Sequence, residues 1–280
     1  MRKFLGIIRL HRPVNFVITV FSGLVSVALA SDNVLVHWNV AILIGFSAAF
    51  TGSAGNVIND ILDVETDRVN RPDRVLPSGV LNKNEASWVY GFDVLLAIVL
   101  SMFLDNAILL FIVVFSLISI TLYSLYLKRV PLLGNIVVSF FTGLLFLYGG
   151  IAVGNPIAGI IPAVFAFLTN LIRELIKDAE DREGDVAVGV LTFPTVYGIQ
   201  KTKVVSAALL IAIIILLPLA YKIGNYENFF LLISIGMLYP LLLITGYILS
   251  RAVDKKGYGR VSSLMKIIML MGLMAFLWAR

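Results

Sequence analysis

Two aspartate triplets with the same spacing lie far apart in this 280-residue chain: Asp60, Asp63 and Asp67 in NDILDVETD, and Asp178, Asp181 and Asp185 in DAEDREGD. On a helix, positions i, i+3 and i+7 share one face, so each triplet is expected to project three carboxylates in one direction. Crowded carboxylates stay ionised only when a cation or a basic partner neutralises them. Oxygen-only clusters suit a hard divalent ion, and Mg²⁺ commonly keeps waters and is shared between a few carboxylates and substrate phosphates. The spacing predicts two acidic faces of one cation site, with a diphosphate as the third party.

The residues around the triplets fit that chemistry. Asn59, Asp63 and Asp67 fall at i, i+4 and i+8, so an amide and two carboxylates can line one side of a helix end. Arg71, Arg74, Lys128, Arg129, Arg173 and Lys177 are the candidates for phosphate contact, because a guanidinium offers a planar fork to phosphate oxygens and an ammonium a point charge. Taken singly, each of these cations reads as an orientation signal, and each acid as a solvated helix end salt-bridged to Arg68, Arg71 or Arg74. Five acids and three arginines within one stretch, repeated in kind later, favour a site. Gly184 is expected either to end the second acidic helix or to let its backbone approach a ligand. Tyr126, beside Lys128, is the best placed of the aromatics Tyr123, Tyr126, Phe140, Phe141, Phe146 and Tyr148 to face a developing carbocation; packing is the commoner role for such rings. His11 and His37 have no second histidine at ligand spacing and read as interfacial.

The elements that must carry these residues are membrane helices. The chain is 59% hydrophobic and 14% charged, with a mean hydropathy of +0.96, outside the range of soluble domains. Apolar runs of roughly 20 residues recur from end to end. They predict nine spans, near 15–31, 39–59, 86–104, 107–125, 132–150, 156–175, 203–221, 229–249 and 262–279, in one all-α bundle with a cytoplasmic-side active-site cap, a single domain over 1–280. The absence of cysteine excludes disulfides, zinc-thiolate centres and thiol nucleophiles. A net charge of +5 does not signal nucleic acid, since no basic tract is interleaved with stacking aromatics.

Topology accounts for the charge instead. With the N-terminus in the cytoplasm and the C-terminus outside, Lys222 and Arg280 alone among the 22 Lys and Arg residues fall outside, which supports both the span count and the orientation. The first span also resembles a signal peptide, with Ala28-Leu29-Ala30 as a cleavage site, but it is longer than a usual signal core. The loops after spans two and six, with the helix ends feeding them, are expected to reach about 25 residues, a length usually tied to function. They hold 11 of the 17 acidic residues, which places the chemistry there. Both triplets follow even-numbered spans, four spans apart, as a duplicated four-helix unit would have them.

At this point the residues carry a resemblance. Arg12-Pro13-Val14-Asn15, the N-D-x-x-D-x-x-x-D block from Asn59 to Asp67, and D-x-x-x-D at Asp181 and Asp185 followed by Gly189 and Thr192 resemble the UbiA superfamily of intramembrane prenyltransferases across nearly the whole chain. The runs NRPDRVLPSG, YLKRVPLLGN and KDAEDREGD are most similar to the branch that builds archaeal ether lipids. The resemblance implies that Asn59, Asp63, Asp67, Asp181 and Asp185 hold Mg²⁺ on the diphosphate of a polyprenyl donor, leaving Asp60 and Asp178 either to support those ligands from behind or to pair with basic residues. The acceptor it implies is an isoprenoid glycerol phosphate, geranylgeranylglyceryl phosphate, with the lipid bilayer as the surrounding partner and no obligate protein partner. Two departures are visible: Val75 stands where a second proline is expected in the arginine-rich loop, and Gly52 where many relatives acting on aromatic acceptors carry arginine. An aromatic prenyltransferase is the close alternative. A cation transporter is the alternative of another class, disfavoured because the acids lie at helix ends beside arginines.

Overall fold

The fold is that of a computed structural model, which describes residues 2–31, 33, 35–187 and 189–279, without the side chain of Arg129. Among the described residues there is no strand, and nine helical segments are long and apolar enough to cross a membrane: Pro13–Ala30, Trp38–Leu62, Lys83–Met102, Ala107–Leu125, Leu133–Ala152, Pro156–Ala187, Ile199–Ile223, Asn228–Arg251 and Lys255–Leu277. The chain forms two compact units, residues 1–128 with 148–155, and residues 129–147 with 156–280.

The first unit contains α1 (Arg2–Leu10), α2 (Pro13–Ala30), α3 (Trp38–Leu62), α4 (Val64–Asn70), α5 (Lys83–Met102) and α6 (Ala107–Leu125), with the end of α7 (Leu133–Ala152). α1 stops because Arg12 turns left-handed (φ 50, ψ 70) and Pro13, without an N–H, opens α2. α3 is the central helix and packs on α2, α5 and α6. At the α2–α3 crossing Gly23 faces Gly45 so closely that a side chain on Gly23 would strike the Gly45 backbone, the small-residue contact membrane helices use in place of a hydrophobic drive. α5 starts at Lys83, earlier than hydropathy places the span, because Asn82 and Glu85 form a reciprocal capping box. A buried cluster of Leu10, Val57, Val64, Val75, Leu76, Leu81 and Ala86, flanked by Ile7, Ile61 and Val80, binds α1 and the loop 71–82 to the ends of α3 and α5. Val75, which departs from the expected proline, is part of this cluster.

The second unit contains most of α7, then α8 (Ile160–Ala187), α9 (Phe193–Tyr197), α10 (Ile199–Ile223), α11 (Asn228–Ile233), α12 (Tyr239–Arg251) and α13 (Lys255–Leu277), with a π-helical turn, Ser234–Leu238, joining α11 to α12. α8 packs on α10 and α13. Here the sequence reading needs correction. α8 passes through Gly184 and the whole second triplet without a break, so the loop before α10 is short and holds only α9. The helix ends instead at Gly189 (φ +71), where Gly189 N–H reaches Val186 O and Val190 N–H reaches Asp185 O at 2.8 Å, the paired bonds of a glycine C-cap. α13 likewise begins before its apolar run, because Asp254 accepts from Gly257 N–H at 2.8 Å and starts the helix.

Candidate active site

The first acidic motif straddles a joint. Asp63 ends α3 and begins α4 with φ −92 and ψ 7, the bridge region in which a helix changes direction. The i to i−4 bonds continue through it, from Asp63 N–H to Asn59 O and from Asp67 N–H to Asp63 O. Helical bonding therefore runs through the motif, while its carboxylates differ in the cations they meet. With Asn59 they divide into two pairs. Lys128 donates to Asp63 and, at 3.3 Å, to Asn59 Oδ1. Arg74 spans the other pair, 2.6 Å from Asp67 Oδ2 and 3.2 Å from Asp60 Oδ1. Arg12 adds a second guanidinium to Asp60 at 2.6 Å.

Asp60 and Asp67 are buried. Burial pushes the Asp67 carboxyl above the usual carboxylate range, and the Arg74 charge opposes the shift. Each acid of this motif thus already has a positive partner. Glu65, by contrast, pairs with Arg68 in the open at 2.7 Å, a contact worth little. Arg71 caps the C-terminal end of α4.

The second motif lies on α8 of the second unit. Asp178, Asp181 and Asp185 remain on one helix, as their spacing predicts, and Asp185 is buried. Asp178 accepts from Asn135 Nδ2 at 2.8 Å. Asn135 belongs to a polar ladder: Ser139 Oγ donates to Asn135 O, and Asn170 Nδ2 reaches Ser139 Oγ at 3.3 Å. Arg173 donates to Glu174 at 2.7 Å, and Lys177 sits 3.7 Å from the same carboxylate. Of the remaining candidates, Tyr126 closes α6 with its side chain exposed, while Arg129 has a side chain outside the described ones. Tyr148 is buried, 3.0 Å from Ser47 Oγ.

Two site contacts escaped the motif reading, Arg12 on Asp60 and Asn135 on Asp178. Both lie in runs the sequence already marks, RPVN and LLGN, but neither run says which acid it meets.

The donor set suits a hard cation, since an amide and carboxylates offer oxygen only. Among the described residues no three His, Cys, Asp or Glu side chains gather closely enough to hold a metal by themselves. A metal here would take further ligands from phosphate and water, as Mg²⁺ readily does.

The family model for UbiA prenyltransferases matches residues 16–274. The chain belongs to the UbiA prenyltransferase family. Among its UbiA relatives, a digeranylgeranylglyceryl phosphate synthase from Methanobrevibacter smithii is 35% identical over 277 residues, covering 96% of this chain and 95% of the relative. One from Thermococcus kodakarensis is 33% identical over 279 residues, 99% of this chain and 98% of the relative. A solved structure described as digeranylgeranylglyceryl phosphate synthase in membranes superposes with a TM-score of 0.75 at 32% identity, covering 100% of this chain and 99% of that one. A UbiA homologue from Archaeoglobus fulgidus bound to GPP and Mg²⁺ shares the fold at a TM-score of 0.67 and 15% identity, covering 97% and 99%. This UbiA chain is an all-helical, multi-pass membrane protein and a prenyltransferase.

Proposed function

We propose that this protein transfers a geranylgeranyl group from geranylgeranyl diphosphate to the free glycerol hydroxyl of geranylgeranylglyceryl phosphate, forming an ether bond and releasing diphosphate. The observation that carries this reading is the match to digeranylgeranylglyceryl phosphate synthases at 33–35% identity along almost the full chain. Residues 1–280 then serve as one catalytic domain in the cell membrane, with the N-terminus in the cytoplasm and the C-terminus outside.

In this reading Asn59, Asp63, Asp67, Asp181 and Asp185 hold Mg²⁺, which supplies positive charge to the leaving diphosphate. Arg74 and Lys128 sit among the carboxylates of the first motif and are the cations of this chain placed to share that task. Arg71, Arg129, Arg173 and Lys177 extend the basic set toward donor and acceptor phosphates. As the allylic C–O bond breaks, its electrons leave with the diphosphate; the acceptor hydroxyl oxygen then bonds to C1 and loses its proton. Apolar helices exclude the water that would otherwise capture the allylic cation, and Tyr126 lies on the same turn as Lys128. Position 52, glycine here, has open space beside it, and a glycine presents no cation there to fix an aromatic carboxylate.

The test is product formation by Asp63→Asn and Asp181→Asn in purified protein given Mg²⁺, labelled donor and the glycerol phosphate acceptor. Each should lose about 100-fold or more of the wild-type rate. Wild-type rates in both variants would overturn the site.

A further inference from the structure

Asp93 is completely buried on α5, within a run, GFDVLLAIVL, that otherwise belongs wholly to the apolar part of a membrane span. Neither acidic motif includes it, and an intramembrane carboxylate persists where something pairs with it. Both its oxygens are engaged: Oδ2 accepts from Ser53 Oγ of α3 at 2.7 Å, and Oδ1 faces His11 Nε2 at 3.0 Å. His11 Nδ1 lies 2.8 Å from Ile7 O. A carbonyl only accepts, so Nδ1 carries a hydrogen, and the Nε2 contact with Asp93 holds a proton shared between ring and carboxylate. The hydrogen bond to Asp93 raises the His11 pKa above its ordinary value.

His11 occupies a particular place. It is the last residue before the left-handed turn at Arg12, where α1 gives way to α2. Fixing the His11 ring to α5, and through Asp93 and Ser53 to α3, fixes the direction in which Arg12 leaves that turn. Arg12 then reaches Asp60, seven residues along α3 from Ser53. Asp60 otherwise competes with Asp67 for Arg74, whose Nη1 touches both carboxylates.

We propose that Ser53, Asp93 and His11 form a clamp that positions Arg12 on Asp60, and thereby leaves Arg74 to Asp67 and to a diphosphate bound beside it. The clamp residues are positioning residues, and the inference rests on the diphosphate reading above. It predicts that losing the clamp weakens diphosphate binding as losing Arg12 does, by the same route.

The experiment is calorimetric binding of inorganic diphosphate with Mg²⁺ to full-length protein in detergent. Arg12→Gln and His11→Leu should each weaken binding about tenfold, the scale of one charge-assisted contact. His11→Leu/Arg12→Gln should be no weaker than Arg12→Gln alone, because the clamp acts through Arg12. His11→Gln, which keeps an N–H for Asp93, should restore wild-type affinity. Should His11→Leu fail to fold, His11→Leu/Asp93→Leu removes both charged partners together and should fold, again binding about tenfold more weakly. Additive losses in the double variant, or wild-type affinity in a folded clamp variant, would overturn the clamp alone. No binding by the wild type would overturn the clamp together with the diphosphate reading.

Discussion

Lys128 shows how a single residue divides the first motif. It donates to Asp63 and Asn59, whereas Arg74 serves Asp60 and Asp67. Lys128→Met leaves Asp63 without its cation and removes a charge meant for the donor, so KM for geranylgeranyl diphosphate should rise about tenfold with a smaller change in kcat. Steady-state assays over donor concentration check this. His11 gives a pH signature. Its pKa is raised in the folded protein, so the stability it contributes is complete below about pH 6.5 and is lost as pH rises through the folded value. Thermal unfolding in detergent should show the wild type exceeding His11→Leu/Asp93→Leu by more at about pH 6 than at about pH 9; a gap independent of pH would contradict the charged pairing. Residue roles were partly legible in the sequence. The acids of both motifs declare themselves by spacing, but the division of the first between Lys128 and Arg74 depends on side chains that reach it from outside the motif, which no spacing rule reveals. Asp93 stayed hidden because one acid in an apolar run shows no pattern, and its partner His11 is 82 positions away.

Among the elements, the apolar spans were the most legible, since burying or solvating in lipid some twenty residues leaves a continuous signal. Their polar ends were not. α5 and α13 start on lysines because capping by Asn82 and Asp254 outweighs hydropathy, and α8 carries its acids through to Ala187 because Gly184 stays helical and the left-handed turn comes only at Gly189. α1 precedes the first predicted span; it folds as a helix because Ile7 and Leu10 find the cluster over the loop 71–82. That cluster holds Arg74 in reach of its acids. At the α2–α3 crossing, Gly45→Leu forces the helices apart where Gly23 and the Val20 backbone lie against Gly45. It should destabilise the protein by about 1–3 kcal/mol, read as a lower unfolding temperature in detergent, while Gly91→Ala, with open space around it, should change little.

For the whole molecule, the charge distribution makes a prediction independent of the active site. The chain has no cysteine, so single cysteines report topology without background. Asn106→Cys and Asn225→Cys should react in intact cells with a membrane-impermeant maleimide, and Ser78→Cys only after permeabilisation; the opposite pattern would reverse the orientation that the lysines and arginines predict. The central claim is that this membrane prenyltransferase builds an ether lipid, and the proposal adds that carboxylate-bound Mg²⁺ serves it. The measurement that tests it most directly supplies purified protein with labelled geranylgeranyl diphosphate and Mg²⁺, and offers geranylgeranylglyceryl phosphate and 4-hydroxybenzoate in competition. The account predicts labelled diether phosphate, dependent on Mg²⁺ and abolished by chelation. Label appearing only in the aromatic product, or diether formed equally without divalent metal, would contradict it.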